Sequence, residues 1–549
     1  MKNIFDFHFH LLFKHLISTK NNQKLPLSSD FKTKGVMSLI DEFMGNAFDS
    51  QSSPNMVRKS NLGCGVTALL AMEYAFAENI SGLFRNLGSN NLPINWNYID
   101  TVKNRKTTYF DLFKKEIQYH TSNFQTLEKD FNIKFLNRKE KISPQVLDDL
   151  KSTYLAFSVE GAHNFSDAVI RDADAVTNPV ERYREIQDDP KSIDMFSINL
   201  VHLSEIPEQH MCSFAQALTP TAQQAFRSED FTPKTGYGIS KAGEDFMRAV
   251  MLHRYPTLVD IKHMSVFSRY RFYQFKEELG MSHPETLRLP IISSHSGFTF
   301  CPLESFLENK EYTSAVRYSR GMPVPEIQAR NRQIGKTNFL LNNKLYSNPW
   351  TINLFDEEIA EIMRSNGMIG ISLDQRILGA SKSTFDGMRG DFFKDVEAIP
   401  LMEFEKWFKT GTLDMSERIY RPEAKTSREV RHIFLLCAHI LHAVRIGYQE
   451  LNWVGEKTPW DHISLGSDFD GLINPINPYD NITKLNTLKS DLLYYLPVAE
   501  KRMEILNDIR VFKNKRNEPI DAEYLEKCVD KFLYLNGKTM LQRFLKNWR

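Results

Sequence analysis

Residues 3–10 read N-I-F-D-F-H-F-H, and they hold the first side chains able to do chemistry. Ile4, Phe5, Phe7 and Phe9 make a short β-type run, in which side chains two apart share a face. His8 and His10 therefore stand side by side, with imidazoles close enough to share a cation. Taken alone, the pair also fits one half-buried face of an ordinary strand. A chelated metal needs further ligands, which must come from distant segments. Glu160, His263 and His295 each fall at or just beyond the end of a predicted strand, as does Asp468. Neutral imidazole and carboxylate suit zinc and similar divalent ions. Five such groups exceed what one tetrahedral site uses, whereas two divalent metal ions sharing Glu160 as a bridge use them all. Two ions about 3.5–4 Å apart can hold a hydroxide between them and polarise a carbonyl. Asp468 would be the base that takes the proton from that water and returns it to the leaving amine. Singly, each has a plainer reading. Glu160 fits a loop carboxylate, His263 and His295 fit packed histidines, and Asp468 and Asp470 fit Asx turns. His163, His210, His253, His432, His439 and His442 are read as structural; His439 and His442 share a helix face but lack a nearby carboxylate partner.

The elements that must position these groups alternate between strand and helix. Strands are expected over 4–9, 66–73, 153–159, 195–201, 257–261, 289–293, 368–373 and 462–466, with a helix as the competing reading for 66–73. Helices are expected over 36–48, 110–131, 240–252, 267–279, 354–365 and 428–450, and over most of the chain from 484 to its end. Residues 80–108 read as an Asn- and Gly-rich excursion. Buried strands alternating with helices predict an α/β fold, a (β/α)8 TIM-type barrel whose strand C-termini open on one face. The whole chain, 1–549, then forms one metal-dependent hydrolase barrel with a helical C-terminal region at 484–549. Residues 298–350 and 376–427, poor in clear strands, are expected to be loop insertions on that face.

The totals exclude several classes. The chain carries 69 basic and 68 acidic residues, net +1, so no overall field draws nucleic acid or an anionic membrane. Aromatics are 12%, 39 of them Phe, which favours a packed globule over disorder. The five cysteines are scattered and form no C-x-x-C, which argues against a disulfide framework and for a cytoplasmic setting. The N-terminal apolar run is broken by Asp6, His8 and His10, unlike a signal peptide, and no span of about 18 apolar residues is evident. The expected partner is a small peptide-like substrate, with no nucleic acid and no membrane; a homo-oligomer is left open.

Residues 463–471, I-S-L-G-S-D-F-D-G, resemble the signature of the membrane dipeptidase (renal dipeptidase-like) family of zinc peptidases, within the amidohydrolase superfamily. P-I-I-S-S-H-S-G at 290–297, V-D-I-K-H-M-S at 259–265 and S-V-E-G-A at 158–162 support the resemblance, and L-N-G-K-T-M-L-Q-R at 535–543 faintly so. The motifs fall in family order along the whole chain. The resemblance implies a TIM-type barrel, two zinc ions, metal ligands at His8, His10, Glu160, His263 and His295, and the acid/base at Asp468. His202, in N-L-V-H-L, matches the family's histidine for the scissile carbonyl or tetrahedral intermediate, an oxyanion role. Three departures stand out. His8-Phe9-His10 replaces the usual His-x-Asp, and Lys262 stands where the family usually has Ser. In I-N-L-F-D-E-E at 352–358, the arginine that would grip a substrate carboxylate becomes Ile352, which cannot replace a bidentate guanidinium. An inserted arginine, Arg317, Arg320 or Arg330, would have to compensate. Otherwise the substrate need not be a free dipeptide, and N-acyl amino acids, cyclic amides and lactones become candidates. A non-catalytic binding scaffold is the third reading.

Overall fold

The computed structural model describes all residues except 1, 21–22, 34–37, 39–48, 86–93, 168–177, 205, 207–210, 218–230, 234–237, 310–311, 320–321, 330–332, 335–344, 381–395, 412–426, 504–520 and 549. Eight parallel strands follow one another around a barrel: β1 (Ile4–Phe9), β2 (Leu62–Leu69), β3 (Thr153–Val159), β4 (Met195–Asn199), β5 (Leu258–Asp260), β6 (Ile292–Ser296), β7 (Met368–Ile371) and β8 (Ile463–Leu465). The last strand meets the first just past their ends. There the Asp468 N–H donates to the His8 carbonyl (2.8 Å) and the His10 N–H to the Phe469 carbonyl (2.9 Å). Asp6 strengthens this seam by accepting from the Ser467 N–H (2.8 Å) and hydroxyl. The fold is therefore the expected barrel, built from the expected eight segments.

The differences are local. The strand expected at 66–73 runs instead over Leu62–Leu69, with Gly63 and Gly65 inside it. A Cβ on Gly65 would come within 2.7 Å of the Asp6 carbonyl, so glycine lets β1 and β2 approach. The single helix expected at 110–131 is two, Tyr109–Thr121 and Phe124–Phe131. Ser122 and Asn123 turn their side chains back onto the Tyr119 carbonyl (3.2 and 2.6 Å), which competes with helix continuation. Helices Tyr74–Arg85 and Trp96–Lys103 occupy much of the expected excursion. The expected helix at 36–48 lies, but for residue 38, outside the described residues.

Residues 298–350 are not poor in strands. Tyr312–Ser319 and Met322–Ala329 form an antiparallel hairpin, joined by Glu397–Ala398. It packs over its own core, which includes Phe306, Tyr312, Ile327, Ile399 and Phe408. The alternation was hidden because the outer face of the hairpin carries Val316 and Tyr318, both exposed. The helix Arg428–Glu450 has the expected bounds, and it corrects the apolar-span expectation: its length and composition would suffice to cross a membrane. It is instead largely buried against the barrel.

The closed N-terminal end of the barrel is tied by Arg138. Its side chain is 2% exposed, and the guanidinium pairs with Asp194 (2.7 and 2.8 Å) while also reaching the Pro256 carbonyl and Asn547 near the C-terminus. Arg138→Met is expected to cost about 3–5 kcal/mol, because it strands a buried carboxylate. Urea unfolding measures this; a loss below about 1 kcal/mol would mean the pair does not tie that end.

Candidate metal centre

The strand ends bring one carboxylate inside a ring of imidazoles. β3 runs into Glu160, whose Oε1 lies 3.5 Å from His8 Nε2, 3.1 Å from His263 Nε2, 3.6 Å from His202 Nε2 and 3.7 Å from His295 Nε2. Its Oε2 lies 3.3 Å from His10 Nε2. Asp468 stands across the mouth, 3.8 Å from His8 Nε2 and 4.0 Å from His295 Nε2. All seven side chains are buried. The sequence-predicted site residues His8, His10, Glu160, His202, His263, His295 and Asp468 thus converge at the C-terminal end of the barrel, though they span most of the chain.

The donor set fits divalent cations. His8 Nε2, both ring nitrogens of His10 and His263 Nδ1 are buried without a hydrogen-bond partner among the described residues. His263 Nε2 and His295 Nε2 face each other at 3.2 Å, which neutral rings tolerate only by sharing a proton or converging on a cation. Three sets, His8/His10/Asp468, His8/Glu160/His295 and Glu160/His202/His263, each place one ligand atom per residue within 4.8 Å of the others.

Electrostatics follow from burial and from Glu160. Burial lowers the pKa of His8, but the Glu160 and Asp468 charges more than offset it and raise it to about 9. Burial dominates for His263, lowered to about 3, and for His10 and His295, both lowered. Burial pushes Glu160 upward, yet the surrounding histidines, His202 and His8 foremost, hold it well below the usual carboxylate range. Asp468 is pushed well above that range by burial, with the Glu160 and Asp374 charges adding to the effect.

Neighbouring side chains orient the ring nitrogens. Ser294 Oγ lies 2.8 Å from His295 Nδ1 and 3.3 Å from His8 Nδ1. Glu73 Oε1 accepts from His202 Nδ1 (2.9 Å) and from the Leu203 N–H (3.1 Å), fixing His202 with Nε2 toward Glu160. Sequence reading missed Glu73, although it closes the apolar run at 66–73 as Glu160 closes 153–159. His263 and Asp468 adopt left-handed backbone (φ 70° and 64°), the strained geometry that active sites concentrate. Gly471 is required by space, since a Cβ there would strike the Asp468 carboxylate.

Other groups fall elsewhere. Asp470 accepts from Lys14 (2.8 Å) and from the Gln51 and Ser52 N–H groups, a structural role. His163, His253, His432 and His439 hydrogen-bond outside the site. His442 does have a carboxylate partner: Asp356 Oδ1, far away in the chain, lies 2.7 Å from its Nε2. His210, Arg320 and Arg330 lie outside the described residues. Arg317 is half exposed on the hairpin and pairs with Glu326 (2.7 Å). Ile352 is buried with Ala215, Trp350 and Ile377.

No protein-family model and no curated protein matches the chain. Among solved structures it is similar to a dipeptidase AC described as a metallopeptidase of family M19, at 13% identity and TM-score 0.43, with 98% of each chain covered. It is similar to a metallopeptidase from Rhodobacter sphaeroides, liganded with a phosphinate mimic of the dipeptide L-Ala-D-Ala, at 12% identity and TM-score 0.42, again with 98% of each chain covered. It is also similar to the probable dipeptidase PvdM from Pseudomonas aeruginosa, at 11% identity and TM-score 0.44, over 99% of this chain and 96% of that one.

Proposed function

We propose that this chain is a divergent, cytoplasmic member of the membrane dipeptidase family, a binuclear zinc-dependent hydrolase of peptide-like amides. The observation that carries this reading is the Glu160 carboxylate enclosed by five imidazoles, with Asp468 facing it, at the open end of the barrel. His8 and His10 would hold one ion and His263 and His295 the other, with Glu160 available to both. Divalent ions bound there supply Lewis acidity and make water a nucleophile near neutral pH. Asp468 takes the proton from the attacking water and delivers it to the leaving nitrogen. His202, oriented by Glu73, donates toward the carbonyl oxygen as negative charge develops there. Cys64, Cys212, Cys301, Cys437 and Cys528 are all free and buried, which suits a reducing compartment. The buried, apolar setting of Ile352 supports the second reading, an amidohydrolase for N-acyl amino acids, cyclic amides or lactones.

The test is hydrolysis of a panel of dipeptides and N-acyl amino acids by the purified protein, with and without a chelator. Cleavage that a chelator stops and divalent ions restore supports the reading. A metal-loaded protein that cleaves no amide in the panel refutes it.

Loading also carries a proton signature. With its pKa raised to about 9, His8 is protonated at pH 7.5 in the metal-free protein and must lose that proton to ligate. Metal uptake is therefore expected to release about one proton through His8 at pH 7.5, and to tighten as pH rises toward that value. Calorimetry in buffers of different ionisation enthalpy measures the release; proton-neutral binding would contradict the assignment of His8.

A further inference from the structure

Asp468 owes its place to its backbone. Among the described residues no hydrogen bond reaches its carboxylate, which stands 3.8 Å from His8 Nε2 and 4.0 Å from His295 Nε2. The loop that carries it holds a sparsely populated conformation: Asp468, Asp470 and Leu472 are all left-handed, with φ of 64°, 64° and 65°. Residues with a side chain keep that backbone only where the surrounding structure over-determines it. Asp470 supplies the determining contacts. Its Oδ1 accepts from Lys14 Nζ (2.8 Å) and the Gln51 N–H (2.8 Å), and its Oδ2 from the Ser52 N–H (3.0 Å) and hydroxyl (2.9 Å). Its own N–H donates to Gln51 Oε1 (2.8 Å). The Lys14 and Asp470 side chains are both 2% exposed, so this charge-assisted pairing is shielded from water.

In the reaction proposed above, on which this inference rests, Asp468 must reach both the attacking water and the leaving nitrogen. A misplacement of about 1 Å at such a group can cost about 100-fold in rate. The loop alone sets where Asp468 stands, and the loop is fixed through Asp470. We infer that Asp470, braced by Lys14 and Ser52, is a positioning residue that holds Asp468 over the reacting bond. Lys14 lies in the short helix Phe13–Ile17, directly after β1, and Ser52 Oγ lies 3.1 Å from the His10 carbonyl. The brace thus locks the acid/base loop to the end of β1, which carries His8 and His10. Asp470 acts through Asp468 and takes no proton itself.

The test measures kcat per bound metal, on the amide that the wild type cleaves best, for Asp470→Asn and Ser52→Ala, each alone and on the Asp468→Asn background. Asp470→Asn keeps the volume but gives up the charge that Lys14 meets. Alone it is expected to lower kcat about 100-fold, with KM within about 3-fold of the wild type. On the Asp468→Asn background no acid/base is left to place, and the further loss is expected to be about 3-fold or less. Ser52→Ala gives up one hydroxyl donor and is expected to lower kcat about 10-fold, with the same dependence on Asp468. Metal content and thermal melting report whether each variant folds; where Asp470→Asn does not, Ser52→Ala decides. Equal losses in both backgrounds would assign Asp470 to the fold alone and overturn the inference. Unchanged kcat, or a loss confined to KM or to metal content, would overturn it as well. A wild type that cleaves no amide would instead bring down the hydrolase reading, and this with it.

Discussion

Asp468→Asn is expected to lower kcat by about 10³–10⁴-fold while the protein keeps its bound metal. The amide is nearly isosteric but can neither accept the water proton nor return it to the leaving amine. Asp468 is also set back from the imidazoles. Its oxygens are 3.8 Å from His8 and 4.0 Å from His295, whereas Glu160 approaches His263 at 3.1 Å and His10 at 3.3 Å. Its pKa lies well above the usual range, first because it is buried, the direction that suits a group taking up and returning a proton. Metal content measured beside kcat separates the roles. Should the variant lose its metal together with its activity, Asp468 is a ligand grouped with His8 and His10, and the acid/base assignment fails.

Glu160→Gln is expected to remove both activity and metal, with bound ions falling well below the wild-type count and kcat/KM by at least about 10⁴-fold. This carboxylate is the common neighbour of all five imidazoles, and its charge raises the His8 pKa. A glutamine keeps the volume but supplies neither the charge nor a second equivalent oxygen. Elemental analysis after gel filtration, read beside activity, checks this. A Gln variant that retains full metal would show that Glu160 is not shared between ions.

Most of the barrel strands were legible because they are short buried runs, several ending in His, Glu or Asp, and a parallel sheet buried on both faces produces such runs. His8 and His10 were legible from strand parity, and Glu160, His263, His295 and Asp468 from their places at strand ends. Glu73 was not, since its run allowed a helix as well and its partner, His202, lies far away in the chain. Lys262 drew notice only as a departure from a motif; that it is buried, with no hydrogen-bond partner for its Nζ among the described residues, is not written in the local sequence. The hairpin Tyr312–Ser319 and Met322–Ala329 was missed because its strands bury little on one face, so charge and turn residues masked their period. The break at Ser122–Asn123 was missed because the apolar recurrence continues across it, while local hydrogen bonds decide the backbone.

The two-metal centre is checked by counting the divalent ions in fully active, purified protein. Two per chain are expected, both lost together with activity on chelation and both needed to restore it. Full activity with one ion per chain, or with none, would contradict that expectation.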